Sequence, residues 1–151
     1  MRVGDIVIVS DLGEMKIYRA APRDLEAEAD SKSENIKLDL IETKDYLLSH
    51  WKVHDLVSDQ AGRFKGGNQG ENHELIKNIE EDIIKTVAKD ISKTVSQGKV
   101  QKWFLGASET VYDQILEKVS KSAKETLFLG VKKDLVKTDK IDLIKIFKKK
   151  I

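Results

Sequence analysis

The sequence predicts an α/β protein: a single domain over residues 1–151, with a mixed β-sheet, an antiparallel N-terminal meander, a long central helix and a C-terminal β-α-β-α unit. Three observations carry that prediction. β-branched and alternating apolar runs fill the first third of the chain. One stretch, 71–96, repeats apolar residues every three or four positions without a break. Beyond it, two short apolar runs bracket a second helical pattern, and a strand-helix-strand order asks for a right-handed crossover between parallel strands.

The elements follow in order. Val3 to Ser10 (VGDIVIVS) is a β-branched run with the character of a buried strand. Asp11-Leu12-Gly13 marks a turn, and Glu14 to Ala20 returns as its hairpin partner. Residues 21–35 are polar and acidic and hold the only proline, so they read as an exposed loop, with helical character around Leu25 to Ala29. Ile36 to Thr43 sets Ile36, Leu38 and Leu40 against Lys37 and Asp39, a third strand with one wet face. Residues 44–61 fit either a short strand near Trp51 to Val53 or irregular structure.

The long helix carries Leu75, Ile76, Ile79, Ile83, Ile84, Val87, Ala88, Ile91 and Val95 on one stripe. Glu71 and Glu74 suit its positive end, and Gly98 is placed to stop it. Val100 to Ala107 is the next strand. Ser108 is placed to cap a helix that turns Val111, Ile115, Leu116 and Val119 inward. Glu125 to Val131 is the last strand, and Asp139 to Lys150 a short basic helix.

Composition narrows the function classes. With 40% hydrophobic residues, a chain of 151 can bury a real core. Its 27 basic and 26 acidic residues nearly cancel, so nucleic-acid binding would have to use a local patch. The absence of cysteine removes disulfides, thiolate zinc sites and cysteine nucleophiles. No signal-peptide pattern and no membrane-length apolar run occur, which points to a soluble protein of the cytoplasm with no membrane partner. No P-loop or G-x-G-x-x-G pattern occurs, so no nucleotide cofactor is expected.

Several residues carry chemistry worth weighing. His50 and His54 stand at i, i+4, a metal-ligand spacing, but lack the glutamate of HExxH on a segment without helical pattern; no metal site is expected. His73 fits a general base near the glycine loop or an exposed helix residue. Ser108 lacks the nucleophile-elbow pattern. Lys145, Lys148, Lys149 and Lys150 suit phosphate, but they also suit the negative end of a terminal helix, and a solvated tail is the default reading. The stretch GRFKGGNQG (62–70) holds the densest set. Gly66 and Gly67 permit close backbone approach, Arg63 and Lys65 add charge, Phe64 offers a ring, and Asn68 and Gln69 bring amides. An RNA-contacting loop and a flexible connector into the helix both fit these residue types.

Taken in order, VGDIVIVSDLGEMKIYRA, then VSDQAGRFKGGNQG before a long charged helix, then VQKWFLGASETVYDQILEKV and GVKKDLVKTDKIDLIKIF, resemble the bacterial host attachment protein family. The matching points are Asp11 at the end of the first strand, Ser58, Asp59, Gly62 and Arg63 before the helix, and Lys133, Asp134 and Leu135 late in the chain. That family is in turn similar to the central domain of the archaeo-eukaryotic peptide chain release factor and of Pelota. Those proteins carry a Gly-Gly-Gln loop before a long helix.

The resemblance implies ribosome or structured RNA as partner. Arg63, Lys65, Gly66, Gly67 and Asn68 would form the contact surface. Gln69 would be the residue orienting water for hydrolysis of a peptidyl-tRNA ester. Asn68 stands between the glycine pair and Gln69, and one inserted residue moves an amide by up to about 3.5 Å in an extended chain. Pelota-like proteins act on ribosomes without hydrolysis. The alternative is a non-catalytic protein-interaction module that affects attachment indirectly, through the acidic 24–34 segment or an exposed helix face.

Overall fold

The computed structural model describes residues 1–23, 36–46 and 69–150, with backbone alone over 69–73. The chain runs β1 (Ile6–Ser10), β2 (Glu14–Pro22), β3 (Ile36–Asp45), α1 (Gln69–Gln97), β4 (Trp103–Ala107), α2 (Glu109–Lys118), α3 (Lys121–Thr126), β5 (Leu127–Lys132) and α4 (Lys140–Lys150). The five strands form one sheet in the order β3-β2-β1-β4-β5. β1, β2 and β3 pair antiparallel, while β1-β4 and β4-β5 are parallel. This is the mixed α/β fold that the periodicities predict, with α1 as its long central helix.

β1 is buried along its whole length, because it is the central strand and both faces of the sheet are covered. That explains its unbroken β-branched run, which a one-sided strand would interrupt with polar residues. Ile6 and Ile8 face one core with Met15, Ile17, Trp103 and Leu105. Val7 and Val9 face the other, with Tyr18, Leu38 and Phe104. On the first face α1 lays down Ile83, Ile84, Val87, Ala88, Ile91 and Val95, and α2 adds Val111, Tyr112 and Ile115. On the second, α4 buries Leu143 and Phe147, whose ring meets Phe104 at 5.5 Å between centroids. Each such aliphatic or aromatic side chain contributes roughly 1.5–3 kcal/mol by leaving water.

Four local expectations are corrected. β1 begins at Ile6, since Gly4 turns at φ +95 and its N–H reaches the Ala20 carbonyl. The third strand does not alternate cleanly: its pairing shifts register opposite Ile17 and Tyr18, with Ile41 the extra residue, and Leu40 and Ile41 are 47% and 48% exposed. Such a bulge inserts one residue and spoils the two-residue period. The helix α3 occupies part of what reads as the start of the last strand; the Ser120 hydroxyl accepts from the Ala123 N–H at its N-terminus. Finally, Gly98 is not the left-handed residue that ends α1. Lys99 is, at φ 47, and the Val100 N–H returns to the Val95 carbonyl in a Schellman arrangement. The expected strand near Trp51 to Val53 and the helical character at Leu25 to Ala29 lie outside the described residues.

Candidate functional site

The parallel strands β1, β4 and β5 all finish at one end of the sheet, and the chain leaves them in different directions. After β1 it doubles back as a hairpin. After β4 it passes to α2 on one face, and after β5 it passes through residues 133–139 to α4 on the other. Adjacent strands whose connections diverge leave a crevice at their carboxyl ends, the usual ligand position in open α/β sheets. A cleft of about 500 Å³ lies there, lined by Asp11 to Glu14, Glu80 of α1, Ser108, Thr110, Val111, Val136 and Lys137.

Each wall has a local cause. The Asp11 carboxylate accepts the N–H groups of Gly13 and Glu14, both at 2.7 Å, and so shapes the hairpin turn. The buried Ser10 hydroxyl donates to the Asp11 carbonyl at 3.1 Å. Ser108 stands at the N-cap of α2, but its side chain does not cap. Its carbonyl accepts from Val111 and Tyr112, while its hydroxyl lies 3.4 Å from that of Thr110. The cleft therefore offers hydroxyls, three carboxylates and one ammonium over an apolar floor. Among the described residues that line it, none is a histidine placed to activate a serine.

The second feature is the way α1 leaves this end. Glu80 is level with the cleft, and Gln69 lies eleven residues earlier, about 16 Å farther along the axis. None of the side chains at 74–82 is fully buried, although Ile79 packs against the first core; among the described side chains of the helix the first buried one is Ile83. The shaft is acidic, with Glu74, Glu80, Glu81 and Asp82 against Lys77. At its far side the helix is tied to β3. The Tyr46 hydroxyl donates to Asp90 at 2.7 Å, Lys44 stands 3.6 Å from the same carboxylate, and the Tyr46 N–H reaches the Gly13 carbonyl. Burial, then the bond to Asp90, push the Tyr46 phenol far above its ordinary range. Tyr46 and Lys44 thus anchor the end of β3 to α1.

Of the residues singled out from sequence, Arg63, Lys65, Gly66, Gly67 and Asn68 lie outside the described residues, as do His50 and His54. Gln69 is the first residue of α1, described by its backbone only, and so is His73 within it. The structure brings Asp11 into the cleft and sets Leu135, buried in the second core, beside Val136 and Lys137 of its wall. Glu80, Ser108, Thr110 and Lys137 were not readable as neighbours, since three separate segments supply them: α1, the start of α2 and the connection after β5. The one signal for the cleft was an aspartate closing a buried strand ahead of a turn. Among the described residues no group of histidine, cysteine, aspartate and glutamate is placed to hold a metal ion. Nor is any described helix long and apolar enough to cross a membrane.

A mixed sheet with a cleft at its switch point and a long projecting helix defines the class: an α/β protein built around an open sheet. Residues 6–146 match the family described as "Protein required for attachment to host cells", and the chain belongs to that family. No curated protein matches the chain.

Proposed function

We propose that the chain is a release-factor-like protein that docks on RNA or the ribosome through the loop leading into α1. Arg63 and Lys65 contact phosphate, Gly66 and Gly67 let the backbone approach, and Asn68 and Gln69 make polar contacts. The observation that supports this reading is the projection of α1. The helix carries Gln69 well past the ends of the strands, with no described side chain buried before Ile83. A segment delivered on such a shaft meets partners that the body of the protein does not reach. The acidic shaft repels phosphate, so contact belongs to the tip.

Ribosome co-sedimentation of wild type against Arg63→Ala/Lys65→Ala tests it. Retention of wild type and loss of the variant is the expected result; equal recovery of both removes the loop from binding. For hydrolysis, peptidyl-tRNA is incubated with wild type and with Gln69→Ala. A lower rate of peptide release in the variant keeps Gln69 as the residue that orients water, and identical rates remove it. The acidic shaft also supports a second reading, a protein-interaction module that takes a basic partner along α1. A nuclease-resistant partner lost on Glu74→Lys/Glu81→Lys is what that reading expects.

A further inference from the structure

The opposite end of the sheet, where β1, β4 and β5 begin, carries a different charge. A hollow of about 490 Å³ lies there, lined by Val3 to Ile6, Arg19, and Gly98 to Gln101. Arg19 and Lys99 are exposed at its rim. Three further cations stand beside it. Met1 packs into the core cluster that holds Phe104, Leu143 and Phe147, which brings Arg2 and Lys148 to this edge. The Lys102 carbonyl accepts from the Ile6 N–H, and its ammonium sits 3.9 Å from the centre of the Phe128 ring, which is 47% exposed. The Met1 amino group is held below its ordinary value, first by burial; Asp5 raises it, and Lys102, Lys148 and Arg2 lower it, so those three fields converge.

Among the described residues none of Arg2, Arg19, Lys99, Lys102 and Lys148 has an ion-pair partner. The acid lining the hollow, Asp5, is buried and accepts the Arg2 backbone N–H at 2.7 Å. Among the described residues, these five cations gather at one end of the sheet and the acidic shaft of α1 stands at the other. Gly4, at φ +95 with open space where a Cβ would stand, lets a backbone approach. An anionic membrane is the poorer partner: α4 buries Leu143 and Phe147 in the core, and the apolar groups exposed nearby, Val3, Phe128 and Ile141, come from separate segments and form no continuous helix face to insert.

We infer that this end of the sheet binds the phosphate backbone of RNA, through Arg2, Arg19, Lys99, Lys102 and Lys148. The surface shares no residue with the loop at 62–70. Only the choice of RNA over DNA rests on the function proposed above.

The test is fluorescence anisotropy of labelled oligouridylate and oligothymidylate with the full chain, titrated over a series of salt concentrations. The proteins are wild type, Lys102→Gln/Lys148→Gln, Arg19→Gln/Lys99→Gln and Arg63→Ala/Lys65→Ala, each checked for an unchanged melting temperature. Either patch variant is expected to bind oligouridylate on the order of ten-fold more weakly at low salt, and its log–log salt slope to fall by about 1.4, two single-strand phosphate contacts. The loop variant is expected to keep the wild-type slope. The second patch variant serves if the first fails to fold.

Wild-type affinity and slope in both patch variants overturn the inference, as does loss confined to the loop variant. Absent binding of either oligonucleotide by wild type, or capture by phosphatidylserine vesicles in its place, also overturns it. Equal binding of both oligonucleotides keeps the phosphate surface and removes only the preference for RNA. Failure of ribosome co-sedimentation through the loop leaves this experiment unaffected.

Discussion

Single residues carry strain and fit that no pattern in the sequence displays. At Gly130, an added Cβ would run into the hydroxyl end of the Tyr112 ring, so the strand and α2 meet only because that position has no side chain. Gly130→Ala is expected to destabilise by about 1–3 kcal/mol in chemical denaturation, the usual cost of overpacking. Lys99 shows the reverse. It occupies the left-handed position that closes α1, where a side chain is unfavourable, one residue after the glycine that seemed to serve. Lys99→Gly is expected to raise the unfolding free energy by about 0.5–1 kcal/mol.

Tyr46 ties stability to pH. Its phenol is pushed above the ordinary 10.0 by burial and by Asp90, and Tyr18 and Tyr112 shift the same way, chiefly through burial. The folded chain therefore holds these protons when the unfolded chain has released them. Stability is level with respect to these groups below about pH 10 and falls as pH rises beyond it. Tyr46→Phe is expected to cost about 1–3 kcal/mol near neutrality, through the lost bond to a carboxylate, and to show a shallower alkaline decline. Denaturation curves collected across the alkaline range check both effects.

At the scale of elements, α1 shows what periodicity reveals and what it hides. Its apolar stripe was legible from Leu75 to Val95, yet the stripe does not say where the sheet begins beneath it. Leu75 is 39% exposed, whereas Ile91 is fully buried. Ile91→Ala is expected to cost about 2–5 kcal/mol, and Leu75→Ala no more than about 0.5 kcal/mol; the pair of melts measures how far the helix stands clear. The short helix α3 was not legible, because KSAKET is polar and shorter than the window over which a helical period can be recognised. The bulge opposite Ile17 and Tyr18 was not legible either, since it arises from pairing and not from the β3 sequence alone.

For the whole molecule, the strands, the long helix and their order were readable, while the sheet order was not. Nothing local in WFLGA says that it lies beside β1 and not beside β3. The cleft and the basic end share this character. Each gathers residues from distant segments, so Lys148 reads in isolation as a solvated tail and in the fold as one of five cations with no ion-pair partner among the described residues. The 29 residues of α1, about 43 Å of helix, run from Gln69 to the edge of the hollow at Gly98 and Lys99.

The parallel pairing of Ile6 to Ser10 with Trp103 to Ala107 has a consequence for synthesis. β2 follows β1 directly and can cover one edge as soon as the hairpin emerges. The other edge stays open until Trp103 to Ala107 has been made, because every residue of α1 must precede β4. A nascent chain thus presents the bare apolar ladder of IVIVS for several seconds at ordinary elongation rates. Chains ended at Gln97 are expected to aggregate or to be held by chaperones, and chains that extend through α2 to stay dispersed, when the two are compared by sedimentation after translation in a purified system.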